Sequence, residues 1–121
     1  MTKVMPQEIE VWYLIPALRR ELARFLVADH KVSQREAAKM LGITEAAISQ
    51  YISKKRGSDV KFSKEEIKKI RKSSNNIFKN QEKTMKEIYK LSKEFRGSKA
   101  LCNLHKKHDS SISKDCDVCL R

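Results

Sequence analysis

Apolar residues recur three and four apart along most of the chain, and that spacing predicts helices. Leu18, Leu22, Phe25 and Leu26 form one such stripe, running to about Asp29, and Pro16 fits the first position of that helix. Ile48 and Ile52 form a second stripe, with Ala47 and Tyr51 alongside. Ile67, Ile70, Ile77 and Phe78 are followed by Met85, Ile88, Leu91 and Phe95. That run predicts an amphipathic helix, or two with a break near Asn75 to Gln81. The segment E-I-E-V-W-Y-L-I, from Glu8 to Ile15, is different. Its composition favours a strand, but its apolar residues do not alternate, and an extra helical turn fits as well. Trp12 and Tyr13 within it are expected to pack in the core or against a second copy. The whole pattern predicts an all-α protein.

Polar and small residues between the first two stripes carry more local information. Ser33 with Glu36 three residues on is an S-x-x-E capping box and starts a helix. Ala38 is small enough for a second helix to cross close above it. Gly42 follows the helix end at Leu41, where a left-handed backbone is cheap for glycine. Ile43 then points into the core, and Thr44 is a good N-cap for the next helix. The positions left on the outside of that next helix are Glu45, Ala46, Ser49, Gln50 and Ser53, and Lys54, Lys55 and Arg56 follow at its end. Two short helices joined by a tight turn, with a polar face and a basic end on the second, suit laying that helix along DNA. The plainer reading of the same features is a helical hairpin in an unrelated core.

Charge favours a polyanionic partner. The 121 residues carry 27 Lys and Arg against 15 Asp and Glu, a formal net charge of +12. From residue 58 to 97, twelve Lys and Arg stand against six Asp and Glu. This region is either an ordinary solvated helix face or an auxiliary phosphate-contacting surface. No apolar run approaches the ~20 residues that span a bilayer. Residue 1 onward has no charged segment leading into an apolar one, so the expected location is the cytoplasm, with no membrane partner. An enzyme is not expected. The chain has three glycines in all, with no phosphate-cradling loop, and no nucleophile–base–orienter set is visible.

In register, Gln34, Ala38, Gly42, Thr44, Ile48, Ser49 and Tyr51 resemble the Cro/repressor-type (XRE) helix-turn-helix family. The wider run, with M-P-Q-E-I-E-V-W-Y-L-I-P-A-L-R-R-E-L-A before the motif and a cysteine-bearing tail after it, is similar to small archaeal predicted regulators. The resemblance implies a helix-turn-helix bundle over residues 1–57, with the motif at 33–57. A basic amphipathic extension at 58–97 would pair with a partner helix in a dimer or, equally, pack on the protein's own domain, and residues 98–121 would form a small Cys/His-rich tail. It also implies a sequence-specific, double-stranded-DNA-binding transcriptional regulator acting as a homodimer, with an unspecified effector. Gln34 and Ser49 would hydrogen-bond phosphates, and Lys54, Lys55 and Arg56 would add charge contacts. Gln50 is the best base reader, through adenine N6 and N7. Glu45 would accept from a cytosine amino group or repel phosphate in a wrong register, and Ala46 would touch a thymine methyl. A protein–protein adaptor of the transcription-coactivator kind would use the same fold.

The tail has its own chemistry. All three cysteines and two of the three histidines lie there, as C-x-x-H at Cys102 and His105 and C-x-x-C at Cys116 and Cys119. Two such pairs can close a tetrahedral Cys3His zinc site, and soft thiolates also suit an iron–sulfur cluster. His108 is a spare fourth ligand. Cytosolic thiols are normally kept reduced, which argues against a disulfide scaffold. The archaeal relatives often carry a further cysteine pair upstream, where this chain, around Ser73 to Asn80, has none. That favours a histidine ligand over an all-cysteine cluster. Metal loss or cluster oxidation would then switch the regulator, while the plain alternative is a disordered tail with free thiols.

Overall fold

Pro16 decides how the chain begins. Its ring has no N–H to donate and crowds the carbonyl four residues earlier, so a regular α-helix cannot run straight through it. In the computed structural model, which describes residues 5–53, 60–96 and 98–108, the backbone solves this with a wide turn. A short helix α1 (Pro6–Ile9) passes into a π-helical segment (Glu10–Leu14) and on into α2 (Ile15–Asp29). The Ile15 N–H donates to the Glu10 carbonyl, the five-residue reach of a π-turn. Residues 8–15 are therefore helical and not a strand. The wide turn brings Ile9 and Leu14, five apart, onto the core side, and leaves Val11 and Trp12 outside. Trp12 is 52% exposed and is not a core residue of this chain.

Three further helices follow the capping signals. Helix α3 (Gln34–Leu41) starts at Ser33, whose hydroxyl accepts from the Glu36 N–H at 3.1 Å. Helix α4 (Glu45–Ile52) starts at Thr44, whose hydroxyl accepts from the Ala47 N–H at 3.1 Å. Helix α5 (Lys64–Lys79) starts with a complete capping box, Ser63 and Glu66 each satisfying the other's backbone N–H. It ends at Asn80, which caps a 3-10 turn (Gln81–Lys83), and α6 (Thr84–Phe95) runs on from there. The amphipathic run is thus two helices, with the break at Asn80–Lys83. Helix α7 (Lys99–His108) completes the described residues, none of which forms a strand.

Gly42 closes α3. It sits at φ 69°, ψ 33°, and the Ile43 N–H reaches back to the Ala38 carbonyl at 2.9 Å, the long bond of a Schellman motif. A Cβ added at Gly42 would meet nothing within 4 Å, so only the backbone resists a side chain there. Gly42→Ala is expected to cost about 1–2 kcal/mol of stability, read as a lower midpoint in urea unfolding with an unchanged slope.

Helix α2 is the axis of the core. It packs against α3, α4, α5 and α6. Leu18, Leu22, Leu26, Ala37, Ala38 and Ile48 belong to the same buried cluster as Ile70, Ile77, Leu91 and Phe95. The composition shift after Gly57 is therefore not a break in the core. Ile70 and Ile77 of α5 and Leu91 and Phe95 of α6 are buried in the chain's own core, while Met85 at the start of α6 stays exposed. Polar contacts reinforce that union at the end of α2. Arg71 pairs with Asp29 at 2.9 Å and lies over the Phe25 ring. His30 stacks on Phe78 at 4.1 Å between centroids and donates from Nε2 to Asn75 Oδ1 at 2.7 Å.

Candidate nucleic-acid interface

Helix α4 is held by one side and open on the other. Ile48 and Tyr51 are buried against the core, with Ile52 partly buried beside them. Ile43 in the turn also packs on the core. Ala37 and Ala38 of α3 are buried, as expected where two helices lie close. On the opposite side Thr44, Glu45, Ala46, Ser49 and Ser53 are exposed, and Gln50 is half-buried. Gln34 is exposed at the start of α3. Lys54, Lys55 and Arg56 lie outside the described residues.

Two details go beyond the sequence pattern. Arg35 Nε lies 3.6 Å from Glu45 Oε1, joining the first turn of α3 to the first turn of α4. Both side chains are well exposed, so the pair contributes little to stability. Its consequence is electrostatic, because the cation offsets a carboxylate that would otherwise repel a polyanion. Arg35 escapes sequence reasoning, and the signal that could have found it is its place directly after Gln34 at a helix start. The Ser53 hydroxyl donates to the Gln50 carbonyl at 3.2 Å, so it helps finish α4 as well as facing solvent.

The free N-terminus of α4 is suited to a nucleic-acid partner in general terms. Thr44 accepts the Ala47 N–H, and the remaining first-turn N–H groups lie at the end of the helix where the dipole favours an anion. The short side chains at Ala46 and Ser49 allow the helix backbone to approach closely.

The tail divides differently. Cys102 and His105 are one turn apart on α7, so the C-x-x-H pair sits on one face of a helix. His105 is buried and Cys102 partly buried, while Leu101 joins the main core. Helix α7 packs against α1. The first part of the tail is thus tied down by its own apolar residues. Cys116 and Cys119 lie outside the described residues. No group of three or more His, Cys, Asp or Glu that could hold a metal ion occurs among the described residues. Two thiol and imidazole ligands on one helix turn fit one half of a zinc site in their chemistry.

No helix among the described residues is long and apolar enough to cross a membrane. Compared with known protein-family models, curated proteins and solved structures, the chain matches none.

Proposed function

We propose that the chain is a sequence-specific double-stranded-DNA-binding regulator of transcription that places α4 in the major groove. One observation carries this reading. A short helix is anchored through Ile48 and Tyr51 and presents Glu45, Ala46 and Ser49 to solvent, on a chain with net charge +12. A helix with one buried edge and short polar side chains on the other has the width and chemistry that a major groove accepts. Gln34 and Ser49 hydrogen-bond phosphates in this arrangement and fix the register. Gln50 reads an adenine, and Glu45, with Arg35 beside it, faces the adjacent base pairs. Two copies related by a two-fold axis would contact half-sites about 34 Å apart.

Selection of binding sites from random duplexes tests the reading, and a two-fold symmetric consensus is the expected result. On that consensus, Gln50→Ala relaxes preference at one base pair and costs about 1–3 kcal/mol, with random DNA bound as before. Equal losses on consensus and random duplexes would remove Gln50 from base reading. A chain that selects no sequence, yet binds one protein partner tightly, would instead be an adaptor.

A further inference from the structure

The hairpin of α5 and α6 has two sides of opposite character. Ile70, Ile77, Leu91 and Phe95 are buried in the core. Lys64, Lys68, Lys72 and Lys79 are exposed on α5, and helical periodicity puts all four within an arc of about 80°. Lys86 and Lys90 are exposed one turn apart on α6. Lys72 and Lys90 line the same groove between the two helices, beside Ser73 and Asn76, so the two rows meet on one face. The chain does not neutralise that face itself. None of these six lysines forms an ion pair among the described residues. Three of the nearby carboxylates are engaged: Glu66 caps α5, Glu87 is buried and accepts from Ser73 and Asn76, and Glu94 pairs with Lys69 at 3.8 Å. Only Glu65 and Glu82 of the hairpin's described carboxylates are left.

Like charges four apart destabilise a helix, and Lys64 with Lys68, Lys68 with Lys72, and Lys86 with Lys90 are such pairs. A polyanion laid on the face removes that repulsion. Residues four apart rise about 6 Å along a helix, near twice the ~3.4 Å axial spacing of phosphates on one DNA strand. Leu91 is the one apolar residue among those lining the groove, and it is buried. The groove thus lacks the apolar anchors with which a helix enters a lipid surface. We infer that the outer face of the α5–α6 hairpin is a duplex-DNA surface that holds the phosphate backbone without reading its sequence. It is separate from α4, which packs on α2 and α3, and it does not require α4 to read bases.

The test uses the full chain carrying Ala46→Glu, which sets a carboxylate at the start of α4 and so reduces that helix's share of binding. Random-sequence duplex is titrated over a series of salt concentrations, and binding is expected to persist with a clear salt dependence. Adding Lys68→Gln and Lys72→Gln lowers the log–log salt slope by about 2 and weakens binding at least tenfold at ~0.1 M salt. Glutamine matches lysine in helix propensity and relieves the repulsion, so the thermal midpoint does not fall. Lys31→Gln with Lys39→Gln removes the same charge from exposed positions before and within α3 and changes the slope less than half as much. Equal slope changes from the two pairs, or no binding of random duplex by the Ala46→Glu chain, would overturn the surface. So would poly-glutamate competing as well as duplex at equal charge, or binding to vesicles of an anionic phospholipid in place of duplex. Failure of the unsubstituted chain to select a consensus would count against α4 alone and leave this result standing.

Discussion

Ala46→Glu is expected to abolish selective DNA binding while leaving the protein as stable as before or slightly more so. The two halves of that outcome have opposite physical causes. Position 46 is in the first turn of α4, where a carboxylate interacts favourably with the helix dipole, by about 0.3–1 kcal/mol. Ala46 is exposed, so the longer side chain meets no core packing. In the proposed complex with DNA the same carboxylate would face the groove and its phosphates. Glu45 has Arg35 3.6 Å away to offset its charge, whereas no ion pair with a residue of the chain is expected to relieve the new one. Like charges brought together in a closed interface cost several kcal/mol, so a loss of roughly 100-fold or more is expected, since each ~1.4 kcal/mol is tenfold. Gel-shift titration on the selected consensus, alongside thermal unfolding, reads both halves. Retained binding would mean that α4 does not face the DNA.

What could be read from the sequence was mostly what is decided within one helical turn. Ser33, Thr44 and Ser63 announce helix starts because a capping hydroxyl needs only a backbone N–H three residues on, and all three make that bond. Gly42 announces a helix end for a similarly local reason. The outward face of α4 follows from the same periodicity, since burying Ile48 and Tyr51 leaves Glu45, Ala46 and Ser49 on the other side.

The misread segments are those whose form depends on distant partners. Residues 8–15 have the composition of a strand, but a strand needs a neighbour to pair with, and none is present among the described residues. Continuing into α2 satisfies their backbone internally, with the π-turn absorbing the Pro16 constraint. Ser74 and Glu87 escape the pattern in another way, because a stripe of apolar residues says nothing about which polar side chains are buried beside it. Ser74 is fully buried and donates to the Arg71 carbonyl of its own helix at 2.6 Å. Glu87 is buried between α5 and α6, accepting from Ser73 at 2.9 Å and Asn76 at 3.1 Å. A carboxylate satisfied by two neutral donors on the facing helix is invisible until both helices are in place. Helix α7 was hidden by the cysteine and histidine chemistry around it, although Leu101 and Leu104 carry its apolar side.

Ile77→Ala tests the claim that residues on both sides of Gly57 share one core. Ile77 is fully buried on α5, the helix that packs most extensively on α2. Truncating a buried isoleucine to alanine removes three carbons and leaves a cavity that its neighbours fill only in part, at a cost of about 2–5 kcal/mol. The chain's single tryptophan, Trp12, reports from the opposite end of the sequence, in the π-helical segment. In a cooperative unit the fluorescence of Trp12 and the far-ultraviolet helix signal lose stability by the same amount and unfold with coincident midpoints. The contacts of Arg71 with Asp29 and of His30 with Phe78 and Asn75 make that coupling direct, because α5 cannot leave α2 without breaking them. Were α5 and α6 an independent appendage, Ile77→Ala would shift only part of the helix signal and leave the Trp12 transition where it was. Coincident transitions displaced together are the expected result, and they would also set the limits of any truncation. A fragment ending near residue 57 would expose the faces of α2 that Ile70 and Ile77 cover, so it should not fold to the stability of the full chain.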